Sequence, residues 1–331
     1  MSCSRRYERS YTIDKGVMKN FGRKHGIQAA LISAVSMGCI PIFGKQALLF
    51  GFAPLFVVAI RTLIAAVLML LIMLVFQKQF FYIYPVGLVG CALAGFINGL
   101  GSILYYVAQD RMGASVGHML YSFYPVFLAL WLFLDRQSVT RITAFRLLLS
   151  IPGVYFLIGG SSDPVDLMGT ALMLGSSILY ALHLLINQRV LYEVPAPTVT
   201  LYTLLSMSIT VLAAFLIFDH RFPTPSVNLW PVLIMAFFTF VSRLTLFMGV
   251  KHLGSIQTAL LGLSEVFVTV VLAQYWLGEH LTTMQWIGAG ILATCMLLVG
   301  FDRFTPAKRN TTGWLSWLNP PRVHPTDVRW Q

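Results

Sequence analysis

The chain has 331 residues, of which 57% are hydrophobic and 11% are charged, and its formal net charge is +11. A soluble globular domain carries roughly a quarter charged residues, so this composition excludes a fully water-facing surface and favours one that faces lipid. The basic residues concentrate in the terminal segments 1–25 and 302–331, on both sides of an apolar body. These ends predict contact with anionic lipid headgroups, and no nucleic-acid partner is predicted because no basic face is interleaved with aromatic residues.

Ten apolar runs follow one another along the chain, each close to the roughly 20 residues that cross a bilayer as a helix. They occupy residues 27–44, 55–76, 84–107, 113–134, 142–159, 168–187, 197–218, 229–249, 254–276 and 283–301. The runs lack strict alternation and are too long for barrel strands, so they predict helices. The predicted fold class is therefore all-α integral membrane, with ten transmembrane helices.

The four cysteines are scattered without a CxxC pair, at Cys3, Cys39, Cys91 and Cys295. Their spacing indicates neither a disulfide framework nor a zinc site, and no metal or other cofactor is predicted. The sequence also contains no GxxxxGK[ST] loop, which argues against ATP-driven chemistry by this chain alone.

Two halves of five runs each repeat in the same order, over residues 26–159 and 168–301. Gly113 corresponds to Gly254, and Pro54 corresponds to Pro197. Because five is an odd number, the first helix of the second half must cross the membrane in the opposite direction to that of the first half. The sequence therefore predicts an inverted repeat, a construction typical of alternating-access transporters.

Loop charges predict the orientation of the chain. With an even number of spans both basic termini lie on one side, and most of the Lys and Arg residues outside the spans fall on that side as well. The positive-inside rule therefore predicts a basic cytoplasmic N-terminal segment and a basic cytoplasmic tail.

Three segments carry a resemblance to a known family: "GFAPLFVVAIRTL" with Arg61, "MGASVGHMLYSFYPVFLALW", and the long stretch "LGSIQTALLGLSEVFVTVVLAQYWLGEHLTTMQWIGAGILATCMLLVG". Over about 27–301 the chain resembles EamA-type members of the drug/metabolite transporter superfamily. The resemblance implies a ten-helix fold that moves small solutes, here in a bacterial inner (cytoplasmic) membrane. The family's paired residues in the fourth and ninth helices correspond to Tyr124-Pro125 and Glu265-Val266, and its acidic turn residues to Asp135 and Glu279.

Glu265 is the one carboxylate inside the ninth run, where a charge costs about 2.5–3.5 kcal/mol on insertion scales. Helical spacing predicts that it lies mid-helix on a face with Thr258 and Thr269. Two alternatives remain open from the sequence. Glu265 either forms a structural ion pair with Arg243 of the preceding helix, or it binds a cationic group or takes up a proton during transport.

Polar side chains also form stripes on three helices. Helical spacing aligns Asn98, Ser102, Tyr105 and Gln109; Ser176, Tyr180, His183 and Asn187; and His118, Tyr121, Ser122 and Pro125. Each stripe can bond helices together or line a central cavity. The candidate substrate-binding or coupling residues are Glu265, Arg243, His118, Tyr121, Tyr124, Asn98, Tyr105, His183, Asn187 and Arg61. Neither intramembrane histidine has metal-ligand spacing, but either can relay protons.

The function predicted is that of a secondary transporter, an exporter of small organic metabolites such as amino acids or amines, working by alternating access around a midplane polar cavity. Helices three, four, six, eight and nine are predicted to line that cavity. The expected partners are a small solute and the lipid bilayer, with a proton as candidate coupling ion and a homodimer as candidate assembly. An integral-membrane enzyme and a solute-sensing scaffold are the alternatives, and no catalytic cluster in the loops favours an enzyme.

Overall fold

The computed structural model describes residues 2–76, 78–136, 141–159, 166–219, 228–278, 282–298 and 313–318, with side chains of the first helix from Lys24 onward. Every regular element in these ranges is helical. The α-helices are α1 Ser2–Leu49, α2 Pro54–Phe76, α3 Pro85–Arg111, α4 Ala114–Tyr121, α5 Tyr124–Leu134, α6 Arg141–Gly159, α7 Leu167–Leu191, α8 Ala196–Phe218, α9 Trp230–Leu253, α10 Ser255–Gly262, α11 Ser264–Leu272 and α12 Thr283–Leu297.

Eight stretches of the described chain are long and apolar enough to cross a membrane. They are Lys24–Leu49, Pro54–Phe76, Pro85–Arg111, Ala114–Leu134, Leu167–Leu191, Ala196–Phe218, Trp230–Leu253 and Ser255–Leu277. The predicted fifth and tenth spans correspond to α6 and α12, which are not among the eight but pack against each other. The structure thus confirms an all-helical membrane fold, while the number ten remains a prediction.

The predicted fourth and ninth spans are each broken near their middle. The first break, between α4 and α5, has a clear cause in the sequence. Pro125 lacks a backbone N–H, and its ring would clash with the carbonyl of Tyr121, so α4 ends at that residue.

The second break falls at Leu263, between α10 and α11, where the sequence has no proline. The Tyr124 hydroxyl donates to the carbonyl of Ala259 at 3.0 Å, the group that Leu263 would bond in an uninterrupted helix. A Cβ at Gly262 would overlap that hydroxyl. The tyrosine of one broken span therefore stabilises the break in the other.

Hydrogen bonds between helices fix the direction in which they run. The Gln109 side chain donates to the carbonyl of Pro41 at 2.8 Å, and the Lys45 ammonium contacts the carbonyls of Gln109 and Met112 at 3.0 Å. The carboxyl-terminal ends of α1 and α3 therefore lie side by side, so these two helices are parallel.

Helix α7 runs the other way. Ser176 donates to the carbonyl of Gly101 at 2.7 Å, and the His183 ring nitrogen lies 3.0 Å from the carbonyl of Ala94. Residue numbers rise along α7 as they fall along α3, so the two helices are antiparallel. Helix α7 is consequently antiparallel to α1, the helix to which it corresponds in the sequence repeat.

The packing of the two halves is reciprocal. Helix α1 packs on α9 and α11, and its counterpart α7 packs on α3 and α5. Helix α2 contacts its own counterpart α8, as α6 contacts α12. Glycines allow the closest approaches: a Cβ at Gly38 would lie 2.6 Å from the Glu265 carbonyl, and one at Gly95 would lie 2.5 Å from the Thr203 carbonyl.

A buried ion pair marks the end of the bundle where α5 finishes. Asp135 and Arg189 form this pair, and both side chains are fully buried. The backbone N–H of Leu315 donates to Asp135 at 3.4 Å, so residues 313–318, part of the predicted tail, pack against the pair. This end also holds the start of α3, since a Cβ at Gly90 would contact Leu318. Because α1 and α3 are parallel, the start of α1 and this tail segment lie at the same end.

Candidate functional site

A polar cavity lies where helices of the two halves meet. Its lining residues come from α1, α2, α3, α4, α7 and α9, and they are Met37, Ile40, Pro41, Arg61, Asn98, Gly101, Ser102, Tyr105, Tyr106, His118, Tyr121, Ser176, Tyr180, Ser242 and Arg243. This set differs from the predicted lining. Helices α1 and α2 contribute, while the predicted ninth span does not, because Gly38 brings α1 against the backbone of Glu265.

All three predicted polar stripes reach this cavity through their first members. On α3 these are Asn98, Ser102 and Tyr105, and on α7 they are Ser176 and Tyr180. The later members, one helical turn or more away, serve other contacts because each helix leaves the cavity as it crosses its neighbour. The third stripe contributes His118 and Tyr121 from α4, the half-helix whose end is set by Pro125.

Arg61 enters the cavity from α2 and is only 4% exposed. Its Nη1 atom donates to the Thr239 hydroxyl at 3.3 Å, and its guanidinium carbon lies 5.0 Å from the centre of the Tyr106 ring. Its Nε has no hydrogen-bond partner among the described residues. The positive charge is therefore held by a ring face and one hydroxyl, and a donor remains unused.

Arg243 enters from α9 and is 6% exposed. Its Nη2 lies 3.5 Å from the side-chain oxygen of Asn98, and its guanidinium carbon lies 5.4 Å from the centre of the Tyr180 ring. Nη1 has no partner in the part of the chain that the structure describes. Arg61 and Arg243 therefore share one arrangement: a tyrosine ring beside the guanidinium, a neutral oxygen, and an unused N–H.

Glu265 lies behind the cavity wall, next to His118. One carboxylate oxygen is 3.7 Å from Nε2 of His118, and the His118 Nδ1 lies 3.2 Å from the Tyr105 hydroxyl, which faces the cavity. Neither oxygen of Glu265 has a hydrogen-bond partner within the described ranges. Tyr105, His118 and Glu265 thus lie in a row from the cavity to the buried acid, with a hydrogen bond between the first two and a longer contact between the last two.

The position of Glu265 differs from the predicted one. The break at Leu263 places it in the first turn of α11 rather than in the middle of a helix. The partial positive charge of a helix amino terminus favours a carboxylate there. Thr258 and Thr269 were predicted to share a helix face with Glu265. The Thr269 hydroxyl does contact Glu265, since it donates to the Glu265 backbone carbonyl at 3.0 Å, whereas Thr258 lies in α10, on the other side of the break.

The direct ion pair between Glu265 and Arg243, one of the two predicted alternatives, is not formed. Among the described residues the ion pairs within 4.0 Å are Arg111–Asp166, His118–Glu265 and Arg189–Asp135. The two side chains attract each other at longer range. Glu265 therefore faces histidine and tyrosine rather than arginine.

The structure brings six of the ten candidate residues to the cavity. These are Arg61, Asn98, Tyr105, His118, Tyr121 and Arg243. The other four are Glu265, Tyr124, His183 and Asn187; Tyr124 bonds the break in the ninth span, and His183 bonds the carbonyl of Ala94. Asn187 contacts the His183 ring at 3.1 Å and accepts from the Thr203 hydroxyl at 3.3 Å, so both α7 residues hold helices together.

Sequence reasoning missed Tyr106 and Ser242, which both line the cavity. Each is adjacent in sequence to a predicted site residue, Tyr105 or Arg243. A helix that crosses a cavity at an angle can present adjacent residues to it, so testing the neighbours of each candidate would have found them. The acidic turn residue Glu279 lies outside the described residues.

The buried polar cavity within a bundle of membrane-spanning helices defines the class: the protein is an integral membrane protein with an internal polar site. The EamA-like transporter family model matches residues 24–159 and again 167–301, and the chain belongs to this family. The family and its transporter-named relatives point to a transporter rather than an enzyme.

Two curated relatives are named as transporters. "Uncharacterized transporter sll1319" of Synechocystis sp. (strain ATCC 27184 / PCC 6803 / Kazusa) is 27% identical over 229 residues, 66% of this chain and 67% of the relative. "Uncharacterized transporter YcbK" of Bacillus subtilis (strain 168) is 22% identical over 281 residues, 78% of this chain and 88% of the relative. A protein of known crystal structure superposes with a TM-score of 0.61 at 13% identity, over 82% of this chain and 96% of its own, and is similar in fold.

Proposed function

We propose that the protein is a secondary transporter that exports small organic metabolites by alternating access. The observation that carries the proposal is the polar cavity between the two halves of the bundle, lined by α1, α2, α3 and α4 of the first and α7 and α9 of the second. A solute bound there contacts both halves at once. Rocking one half against the other would then expose it to either side of the membrane in turn.

The reciprocal packing supports this motion. Helices α1 and α7 correspond in the repeat, run in opposite directions, and pack on corresponding partners, α9 with α11 and α3 with α5. An inverted repeat with ten spans accounts for this correspondence between the packing partners of α1 and α7. Two conformations of nearly equal energy follow from such symmetry, because each half can adopt the arrangement of the other.

The row of Tyr105, His118 and Glu265 supports proton coupling. Glu265 is fully buried, its oxygens lack hydrogen bonds among the described residues, and His118 separates it from the cavity. The charged and titratable groups around it are His118, the tyrosines Tyr105, Tyr121, Tyr124 and Tyr180, and the more distant Arg243. A proton that passes through His118 to Glu265 would change the charge of this row, and that change would be coupled to solute binding in the cavity.

We further propose that both termini face the cytoplasm, in a bacterial inner membrane. The tail segment 313–318 and the start of α1 lie at one end of the bundle, which supports a common side. The positive-inside rule assigns that side to the cytoplasm. A homodimer remains a candidate assembly.

The proposal is tested with the purified full-length protein in liposomes. A thermal-shift screen against amino acids, amines, nucleosides and sugars identifies stabilising solutes, and counterflow of the radiolabelled solute then measures transport. Counterflow above that of empty liposomes is expected. Solutes that stabilise the protein but are never carried across the bilayer would favour a sensing scaffold and overturn the proposal.

A further inference from the structure

The cavity is lined by positive charge that the proposed function does not account for. Two guanidinium groups, of Arg61 and Arg243, line it, and no carboxylate lines it among the described residues. Arginine stays protonated in proteins, so both charges persist at any working pH. The two side chains also lie close enough to repel each other. The side chains that line the cavity therefore give it an excess of positive charge.

Protein groups compensate these charges incompletely. Each guanidinium has a tyrosine ring nearby, 5.0 Å from Arg61 and 5.4 Å from Arg243, and a neutral oxygen at 3.3 Å or 3.5 Å; the Tyr180 side chain also bonds Arg243. Rings and neutral oxygens offset only part of the cost of removing a cation from water. By contrast, Arg189 is equally buried but forms a direct ion pair with Asp135. The chain therefore pairs a buried arginine directly with an acid elsewhere, whereas neither cavity arginine is in direct contact with one and Glu265 attracts Arg243 only at longer range.

Two N–H donors of these arginines are unused among the described residues. Arg61 Nε and Arg243 Nη1 are buried and have no acceptor within the described ranges. An oxyanion between the two side chains would accept from both and would neutralise one of the charges. Its hydrocarbon part would then lie against the tyrosine rings that line the rest of the cavity, Tyr105, Tyr121 and Tyr180.

We propose that Arg61 and Arg243 together bind the carboxylate of an organic anion, which makes carboxylate-bearing solutes, rather than amines, the substrate class. This inference rests on the proposed function and names its substrate. The same two charges repel an ammonium group, so an amine without a carboxylate is disfavoured. Arg61 belongs to the first half of the bundle and Arg243 to the second, so the carboxylate joins the two halves.

The test compares three probes that share a phenyl ring. Binding of phenylacetate, 2-phenylethylamine and phenyl phosphate is measured at pH 7 by thermal shift and by isothermal titration calorimetry on detergent-purified protein, without any transport step. We expect phenylacetate to bind and 2-phenylethylamine not to bind. Preference for the amine, equal binding of the three, or binding of none would overturn the inference, and preference for phenyl phosphate would assign the site to a phosphate ester instead.

Variants locate the site. Arg61→Gln and Arg243→Gln should each weaken phenylacetate binding by at least about tenfold, because a charge-assisted hydrogen bond is lost. Arg243→Lys retains the charge without the planar fork and should bind with intermediate affinity. Arg111→Gln, which removes an arginine that pairs with Asp166 outside the cavity, is the matched control and should bind as wild type. Unchanged binding in both glutamine variants would contradict the assignment.

The unliganded variants give a second readout that does not depend on the probe. Removing one of two repelling charges should leave the thermal midpoint, measured without added probe, unchanged or raise it. Loss of an arginine that stabilises the fold would lower the midpoint instead. A lowered midpoint in both glutamine variants would count against a ligand-binding role. Transport is measured separately: binding of phenylacetate without flux would contradict the proposed function and leave the anion site standing.

Discussion

Nε2 of His118 lies 3.7 Å from a carboxylate oxygen of Glu265, and both side chains are almost fully buried. The two residues come from the broken fourth and ninth spans, α4 and α11, and so from different halves of the bundle. A change in the distance between the halves would therefore change the contact between this acid and this base. In the proposed mechanism, this pair links protonation to conformation.

The first prediction concerns Glu265→Gln, which keeps the shape of the side chain and removes its ionisation. We expect the variant to catalyse solute counterflow, because exchange requires no net proton movement, but to lose accumulation driven by an imposed pH gradient. Flux of a stabilising solute in proteoliposomes, with and without the gradient, measures both. Asp166→Asn alters an acid that pairs with Arg111 outside the cavity and should retain gradient-driven uptake. Accumulation by Glu265→Gln at the wild-type level would remove this acid from the coupling mechanism.

The second prediction concerns Gly38, where α1 meets the backbone of α11. A Cβ there would lie 2.6 Å from both the Glu265 carbonyl and the Cβ of Val268, two positions that cannot move aside as flexible side-chain ends do. Gly38→Ala should therefore separate the helices, at a cost of about 1–3 kcal/mol for overpacking. A lowered thermal midpoint is the readout.

Gly175 of α7 provides the matched control for Gly38. A Cβ at this position would meet only the end of the Leu104 side chain, at an ordinary 3.4 Å. Gly175→Ala should therefore leave the thermal midpoint nearly unchanged. Equal effects of the two substitutions would show that helix propensity, rather than the close contact between α1 and α11, determines the outcome.

Much of the fold could be predicted from the sequence, because the bilayer imposes one length and one polarity on every spanning helix. Eight of the predicted runs coincide with helices long enough to span. The break at Pro125 also follows from local chemistry, since proline removes a backbone donor. The break at Leu263 could not be predicted, because it depends on Tyr124, a residue 139 positions earlier in the chain.

The candidate site was predictable to the extent that helical periodicity determines it. Asn98, Tyr105 and Tyr121 lie on polar faces and line the cavity as spacing suggests. His183 also lies at helical spacing from Tyr180, which lines the cavity. It bonds the carbonyl of Ala94 instead, because α3 crosses α7 next to His183. Periodicity gives the face of a helix, whereas the crossing points that decide between cavity and contact depend on tertiary packing.

The third prediction concerns the buried pair of Asp135 and Arg189. Asp135→Asn leaves the guanidinium buried without its anion and should destabilise the protein by about 3–5 kcal/mol. The double variant Asp135→Leu, Arg189→Met replaces both charges by apolar groups and should recover a large part of that loss. Thermal unfolding of the three proteins in one detergent measures the difference. A double variant no more stable than Asp135→Asn would show that the ion pair itself, and not the isolated charge, determines stability.

The fourth prediction concerns the tail segment 313–318, which packs on this pair. Leu315 and Leu318 are fully buried, whereas Ser316 between them is exposed. In a background without the native cysteines, Leu318→Cys should react with a maleimide at least about tenfold more slowly than Ser316→Cys, because burial of a leucine-sized side chain contributes about 1.5–3 kcal/mol.

A substitution that detaches the tail segment tests the same contact. Adding Leu315→Asp would place a carboxylate in the apolar contact, next to the anion of Asp135, and like charges there should expel the segment. The thiol of Leu318→Cys should then react as fast as that of Ser316→Cys, and the thermal midpoint should fall. Gly313 adds a backbone reason for the docked geometry, since its φ of +96° is a conformation that L side chains rarely adopt. Equal reaction rates at the two positions before Leu315→Asp is introduced would mean that the segment does not dock on the bundle in solution.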